Sequence, residues 1–188
     1  MTHDSALDAH EHTEHAEHAE HSGDPFIARV AITVAVLAVL AAVAGSLETV
    51  EGGRALSSTS EAVLVQDEAT DAWNEFQADS LKKHVYGIAA DENAANAARY
   101  RASAKKYSDS EDKLMNKAQD REKERDSLLA AAGKHEDRHH WLTGAATLFE
   151  IGIAMSTVAI ITRRRWLWSA AMIFGVVGLG LLGSAYLA

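Results

Sequence analysis

The chain has no cysteine in 188 residues and a single proline, Pro25. The first absence excludes disulfides and thiol chemistry. The second leaves long stretches that nothing forces out of a helix. Lys and Arg are missing from the first 25 residues, which hold seven acids. With that segment set aside, only about −2 of the formal charge of −9 remains. No basic stripe with interleaved aromatics is present, so nucleic acid is excluded as a partner.

What is present divides sharply. A mean hydropathy close to zero averages very apolar runs with a very polar middle, as in a membrane protein with one extramembrane domain. Two apolar runs, 141–162 and 166–188, flank Arg163, Arg164 and Arg165. Each is long enough to cross a hydrocarbon core of ~30 Å, and the short basic turn makes them a hairpin. A third run, 26–47, follows Asp24-Pro25, an N-cap and a first helical position. No cleavage site is apparent, so this run reads as an uncleaved anchor.

The expected fold is therefore all-α: an integral membrane protein with three transmembrane helices and an extramembrane long antiparallel helical hairpin. Residues 1–25 form a disordered His/Glu-rich tail and 26–47 the first transmembrane helix. Residues 48–140 form the hairpin or coiled-coil domain, 141–162 the second transmembrane helix, 163–165 the basic turn and 166–188 the third. Trp141, Trp166 and Trp168 sit at the expected membrane interfaces. A short basic turn stays cytoplasmic. The N-terminus then lies inside, and the helical domain in the periplasm of a bacterial inner membrane.

Within 48–140, Glu51-Gly52-Gly53 is expected to break the first helix, with Ser57, Ser58, Thr59 or Ser60 capping the next. Trp73, Phe76, Leu81, Val85 and Ile88 supply its apolar stripe, and a turn is expected at Asp91-Glu92-Asn93. The second helix runs from about Ala95 to about Ala132. Its seam reads Tyr100, Ala104, Tyr107, Glu111, Leu114, Ala118, Arg121, Arg125, Leu128, Ala132, which is heptad spacing.

Residues 71–86, DAWNEFQADSLKKHVY, resemble the signature of the bacterial membrane proteins grouped as domain of unknown function 4337. The family's pattern is similar to D-x-W-x-x-[FY]-Q-A-K-S-x-K-x-x-x-Y. It is met by Asp71, Trp73, Phe76, Gln77, Ala78, Ser80, Lys82 (or Lys83) and Tyr86; Asp79 stands in place of the usual Lys. The resemblance covers most of 26–188 and implies the architecture above, with no established activity. The residues themselves read as a helix interface, with Trp73, Gln77, Ser80 and His84 on one face.

Three further features carry possible chemistry. The tail repeats Glu-His-small from 11 to 22, and His12, His15, His18 and His21 can bind Zn²⁺, Ni²⁺ or Cu²⁺. His135-Glu136-Asp137-Arg138-His139 matches H-E-x-x-H, which puts His135 and His139 on one helical face. No third ligand follows at a zincin spacing, so a metal shared between copies is the alternative to a plain helix end at the headgroups. Glu150 lies midway along the second transmembrane helix, where a carboxyl is costly; Thr147, Ser156 or a copy of itself are its candidate partners. Small residues at Ala31, Ala35, Ala38, Ala42 and Gly45, and the pairs Ala171/Gly175 and Gly180/Ser184, offer close-packing faces.

The expected function is a non-enzymatic structural or accessory membrane protein that associates through its helices as a homo-oligomer. No cofactor is required beyond a metal at the tail. Its partners are the lipid bilayer, other copies and a larger membrane complex. The alternatives are a metal-responsive protein using the tail and a channel or transporter subunit using Glu150.

Overall fold

The computed structural model describes residues 24–187. Among these residues it contains three helices and no strand: α1 (Pro25–Glu92), α2 (Ala97–Thr162) and α3 (Arg165–Leu187). All three have a segment long and apolar enough to cross a membrane. α1 starts as its sequence requires: the Phe26 N–H donates to Asp24 Oδ1 at 2.9 Å.

The expected breaks at Gly52-Gly53 and before Trp141 are absent; α1 and α2 pass both points without interruption. Two glycines cost about 1 kcal/mol each against alanine, too little to end a helix packed along its length. The first turn lies slightly later than expected, at 93–96, with the Asn96 N–H donating to Asn93 Oδ1. The second follows the arginines: α2 stops at Thr162, and Arg163 takes φ 52°, the left-handed conformation that closes a helix end.

The chain divides into two compact units. One comprises residues 24–55 together with residues 134–187. Its core is Val34, Leu37, Ala38 and Ala44 of α1 against Ala145, Ala146, Phe149 and Ile153 of α2, with Leu181 and Leu182 of α3 closing on them. Glycines let α3 approach: a Cβ on Gly178 would lie 2.8 Å from the Phe149 ring, and one on Gly175 2.9 Å from Leu37. Of the small-residue pairs, Ala171/Gly175 is buried, while Gly180 is exposed. The α1 face runs one register away from the alanine line: Ala35 and Ala42 are exposed, and Ile27, Val30, Val34 and Leu37 turn inward.

The second unit, Leu56–Gly133, is an antiparallel helix pair. Lys83 meets Glu111, Trp73 meets Glu122, and Gln66 meets Arg125, so position numbers rise on one helix as they fall on the other. The α2 seam is the one its sequence shows: every position from Tyr100 to Ala132 in the heptad line is buried or half-buried. The α1 seam is different from the expected stripe. It runs Ala62, Val65, Ala69, Ala72, Phe76, Asp79, Lys83, Tyr86, Ala90 at alternating spacings of three and four. Leu81, Val85 and Ile88 point away, 66%, 56% and 60% exposed. Alanine holds four of these nine positions, three of them between Ala62 and Ala72, where small side chains let the two helix backbones approach closely.

Candidate functional site

The H-E-x-x-H segment lies within the first unit, on the seam of α2. Spacing of four places His135 and His139 on one face, as the sequence requires. Both face α1. His135 Nδ1 lies 2.6 Å from Glu51 Oε2, and His139 Nδ1 lies 3.1 Å from the Glu48 carbonyl. Gly52 lets the His139 ring in, since a Cβ there would sit 3.2 Å from it. The Thr143 hydroxyl is 2.7 Å from Glu48 Oε1. Glu136, the general base a metalloprotease would use, is turned outward towards His140. Among the described residues no group of three or more His, Cys, Asp or Glu is placed to hold a metal ion. His12, His15, His18 and His21 lie outside the described residues.

Glu51 is the residue sequence reasoning missed. It is 3% exposed, with Arg54 Nη1 on Oε1 at 2.9 Å. The hydrogen bond from His135 holds its carboxyl below the ordinary range against the opposing effect of burial, helped by the charges of Arg54 and Arg138. The available signal was a carboxylate on the inward heptad line of α1 in an otherwise small-residue seam. The pair is a carboxylate–imidazole contact that joins two helices where the chain leaves their apolar segments.

The family motif lies in the second unit and is chiefly a packing device. The Trp73 indole N–H donates to Glu122 at 2.9 Å, and its ring meets Phe76 edge-on at 5.5 Å. Tyr86 stacks on Tyr107 at 5.7 Å, with Tyr100 beside it. Lys82 bonds Asp79 at 2.9 Å and lies 5.1 Å over the Tyr107 ring. Asp79 thus serves as an acceptor, and Lys82 holds its carboxyl below the usual range. Ser80 and Lys83 both act on Glu111, whose carboxyl is likewise held low, chiefly by Lys83. Asp71, Gln77 and His84 are exposed.

Glu150 meets neither Thr147 nor Ser156. It is exposed on the outer face of α2; Ser156 is fully buried on the other side, and the Thr147 hydroxyl donates to the Thr143 carbonyl. Among the described residues no hydrogen bond or ion pair to Glu150 is formed. An apolar furrow of about 200 Å³ lies between α1 and α3, floored by Leu37 and Gly175 and edged by Val36 and Met172.

The aromatic residues mark the two ends of the first unit. At one end Trp168 donates to Thr33 at 3.0 Å and meets Phe26 edge-on, with Arg165 over that ring and Trp166 exposed beside the Arg163–Arg165 turn. At the other, Arg138 lies over Tyr186, and Trp141 is exposed. Such rings suit a boundary between hydrocarbon and water.

Residues 26–188 match the family described as Domain of unknown function (DUF4337). No curated protein and no solved structure matches the chain.

Proposed function

The chain belongs to the domain of unknown function 4337 family, and from that premise, with no activity attached to the family, we propose a non-enzymatic, multi-pass protein of the bacterial inner membrane. It works by offering helical faces to other chains, as a homo-oligomeric accessory protein. The observation that carries this reading is the lopsided surface of the second unit. Leu81, Val85 and Ile88 lie exposed at heptad spacing near the turn end of α1, and Leu56, Val63 and Leu64 form a second exposed aliphatic patch beyond Asp67, Asp71, Asn74 and Ala78. The outer face of α2 in the same unit is mostly Lys, Arg, Asp and Glu, with Leu129 as its large exposed aliphatic. A face with aliphatics at heptad spacing is what a third helix packs against.

The first unit supports the membrane part of the reading, with three apolar helices, aromatic residues at both ends and a short basic turn. The basic turn favours a cytoplasmic N-terminus and a periplasmic second unit. The metal-responsive alternative now depends on the tail histidines, because His135 and His139 are engaged with α1.

The test is mass by light scattering in mild detergent. Several multiples of 20.2 kDa are expected after subtraction of detergent; a clean monomer at working concentration overturns the reading. Leu81→Ser combined with Val85→Ser should lower the mass without lowering helix content, since neither side chain is in the seam.

A further inference from the structure

We propose that the outer face of α2 in the first unit is where a second copy of this chain packs, with Glu150 of each copy directed at the other. The inference rests on the homo-oligomeric reading and says where the copies meet.

The three outward faces of the first unit differ in one respect. α1 turns Ile32, Val36, Val39 and Val43 outward, and α3 turns Ile173, Val176 and Val177 outward. Both faces are at home against lipid tails. α2 turns out Thr147, Ile151, Ala154, Val158 and Ile161, spaced four, three, four, three, with Glu150 beside them. Glu150 is twelve residues from the end of α2 at Thr162 and eleven from His139. At 1.5 Å per residue that is roughly 16–18 Å from either end, close to the middle of a ~30 Å hydrocarbon layer. Lipid headgroups lie beyond the reach of its side chain. Carboxyls at that depth almost always face protein or a water-filled cavity. This one faces neither among the described residues of its own chain.

A second copy supplies what is missing. Copies inserted with the same orientation hold the same residues at the same depth. An axis beside α2 therefore brings the partner copy's Glu150 to the level of Glu150, with its Thr147 about one helical turn away. These are groups that hydrogen-bond a carboxyl where water is absent. The line has the form of a helix-docking face, with Ala154 small at its centre and Ile151 and Val158 either side.

The absence of cysteine makes the test clean. Single replacements Ala154→Cys and Ile161→Cys on α2 are compared with Val39→Cys on α1 and Ile173→Cys on α3. Each is oxidised with copper phenanthroline in native membranes and read on non-reducing gels. Disulfide-linked dimers should form at 154 and 161 several-fold faster than at 39 and 173. Cross-links confined to 39 or 173 overturn the proposed face and leave self-association standing. No cross-link at any of the four, with a monomer mass in nanodiscs, removes both. Adducts to a different protein at 154 also overturn the proposal. In nanodiscs, Glu150→Leu should weaken self-association about threefold to thirtyfold, while Glu150→Gln, which still forms hydrogen bonds, keeps most of it. An unchanged affinity for Glu150→Leu refutes the role given to the carboxyl.

Discussion

Gly178 and Gly180 are two residues apart on α3 and face different worlds. A Cβ at 178 meets three atoms of the Phe149 ring at 2.8–3.2 Å, and that ring is fully buried with no room to swing. A Cβ at 180 meets nothing within 4 Å. Gly178→Ala should therefore cost about 1–3 kcal/mol through overpacking. Gly180→Ala should be neutral, or gain up to about 1 kcal/mol of helix propensity. Unfolding of both in mild detergent checks the contrast, and equal effects would show that the ring is free to move. Glu51 yields a second expectation. Its carboxyl titrates lower when folded than unfolded, so its contribution to stability is complete above its ordinary value of 4.5. That contribution fades as the pH falls through the lower, folded value. The gap in melting temperature between the native chain and Glu51→Gln should close as the pH falls below about 4.5. A gap that does not change with pH would mean that the His135 contact does not depend on the Glu51 charge. The role of His135 and His139 was half legible in sequence. Spacing put them on one face, but the Glu51 carboxylate and the Glu48 carbonyl they meet are more than eighty residues away, and local pattern does not carry that distance.

At the level of helices, the α2 seam could be read directly, because Tyr100, Tyr107, Leu114 and Leu128 are large enough to declare a period. The α1 seam could not. Its inward line mixes four alanines with Asp79 and Lys83, which score weakly on any hydropathy reading, and the exposed Leu81, Val85 and Ile88 outweigh it. The two classes of position should respond in opposite ways. Ala69 is fully buried, so Ala69→Leu should destabilise the helix pair by about 1–3 kcal/mol. Leu81→Ser removes an exposed side chain and should shift stability by no more than about 0.5 kcal/mol. Chemical denaturation of both variants distinguishes them; a large loss for Leu81→Ser in a monomeric preparation would place that side chain in the core after all. The basic turn follows a similar logic. Arg163 adopts a positive φ that an L-residue holds at a cost of about 1 kcal/mol or more. Three arginines in a row advertise a turn by charge, while the strained position among them is visible only in the backbone.

For the molecule as a whole, the proposed three crossings imply a parity: Lys105 and Arg164 should be reached by reagents from opposite sides of the membrane. Length and apolarity made the three apolar helical segments legible, since a run of about 20 apolar residues is long enough to cross a bilayer. The extent of α1 and α2 was hidden for the converse reason. A helix that leaves the apolar segment changes its composition abruptly at Glu48–Arg54 without changing its hydrogen bonding, and composition alone reads as a boundary. Parity and the positive-inside rule together define a measurable orientation. Lys105→Cys, on an exposed position of the second unit, should react with a membrane-impermeant maleimide added to intact spheroplasts. Arg164→Cys should react only after the membrane is opened. The reverse pattern would place the arginines outside, and basic residues flanking the other end of the first unit, Arg54, Lys134 and Arg138, would then be the ones held in the cytoplasm. Labelling of both sites in sealed cells would contradict an odd number of crossings between them.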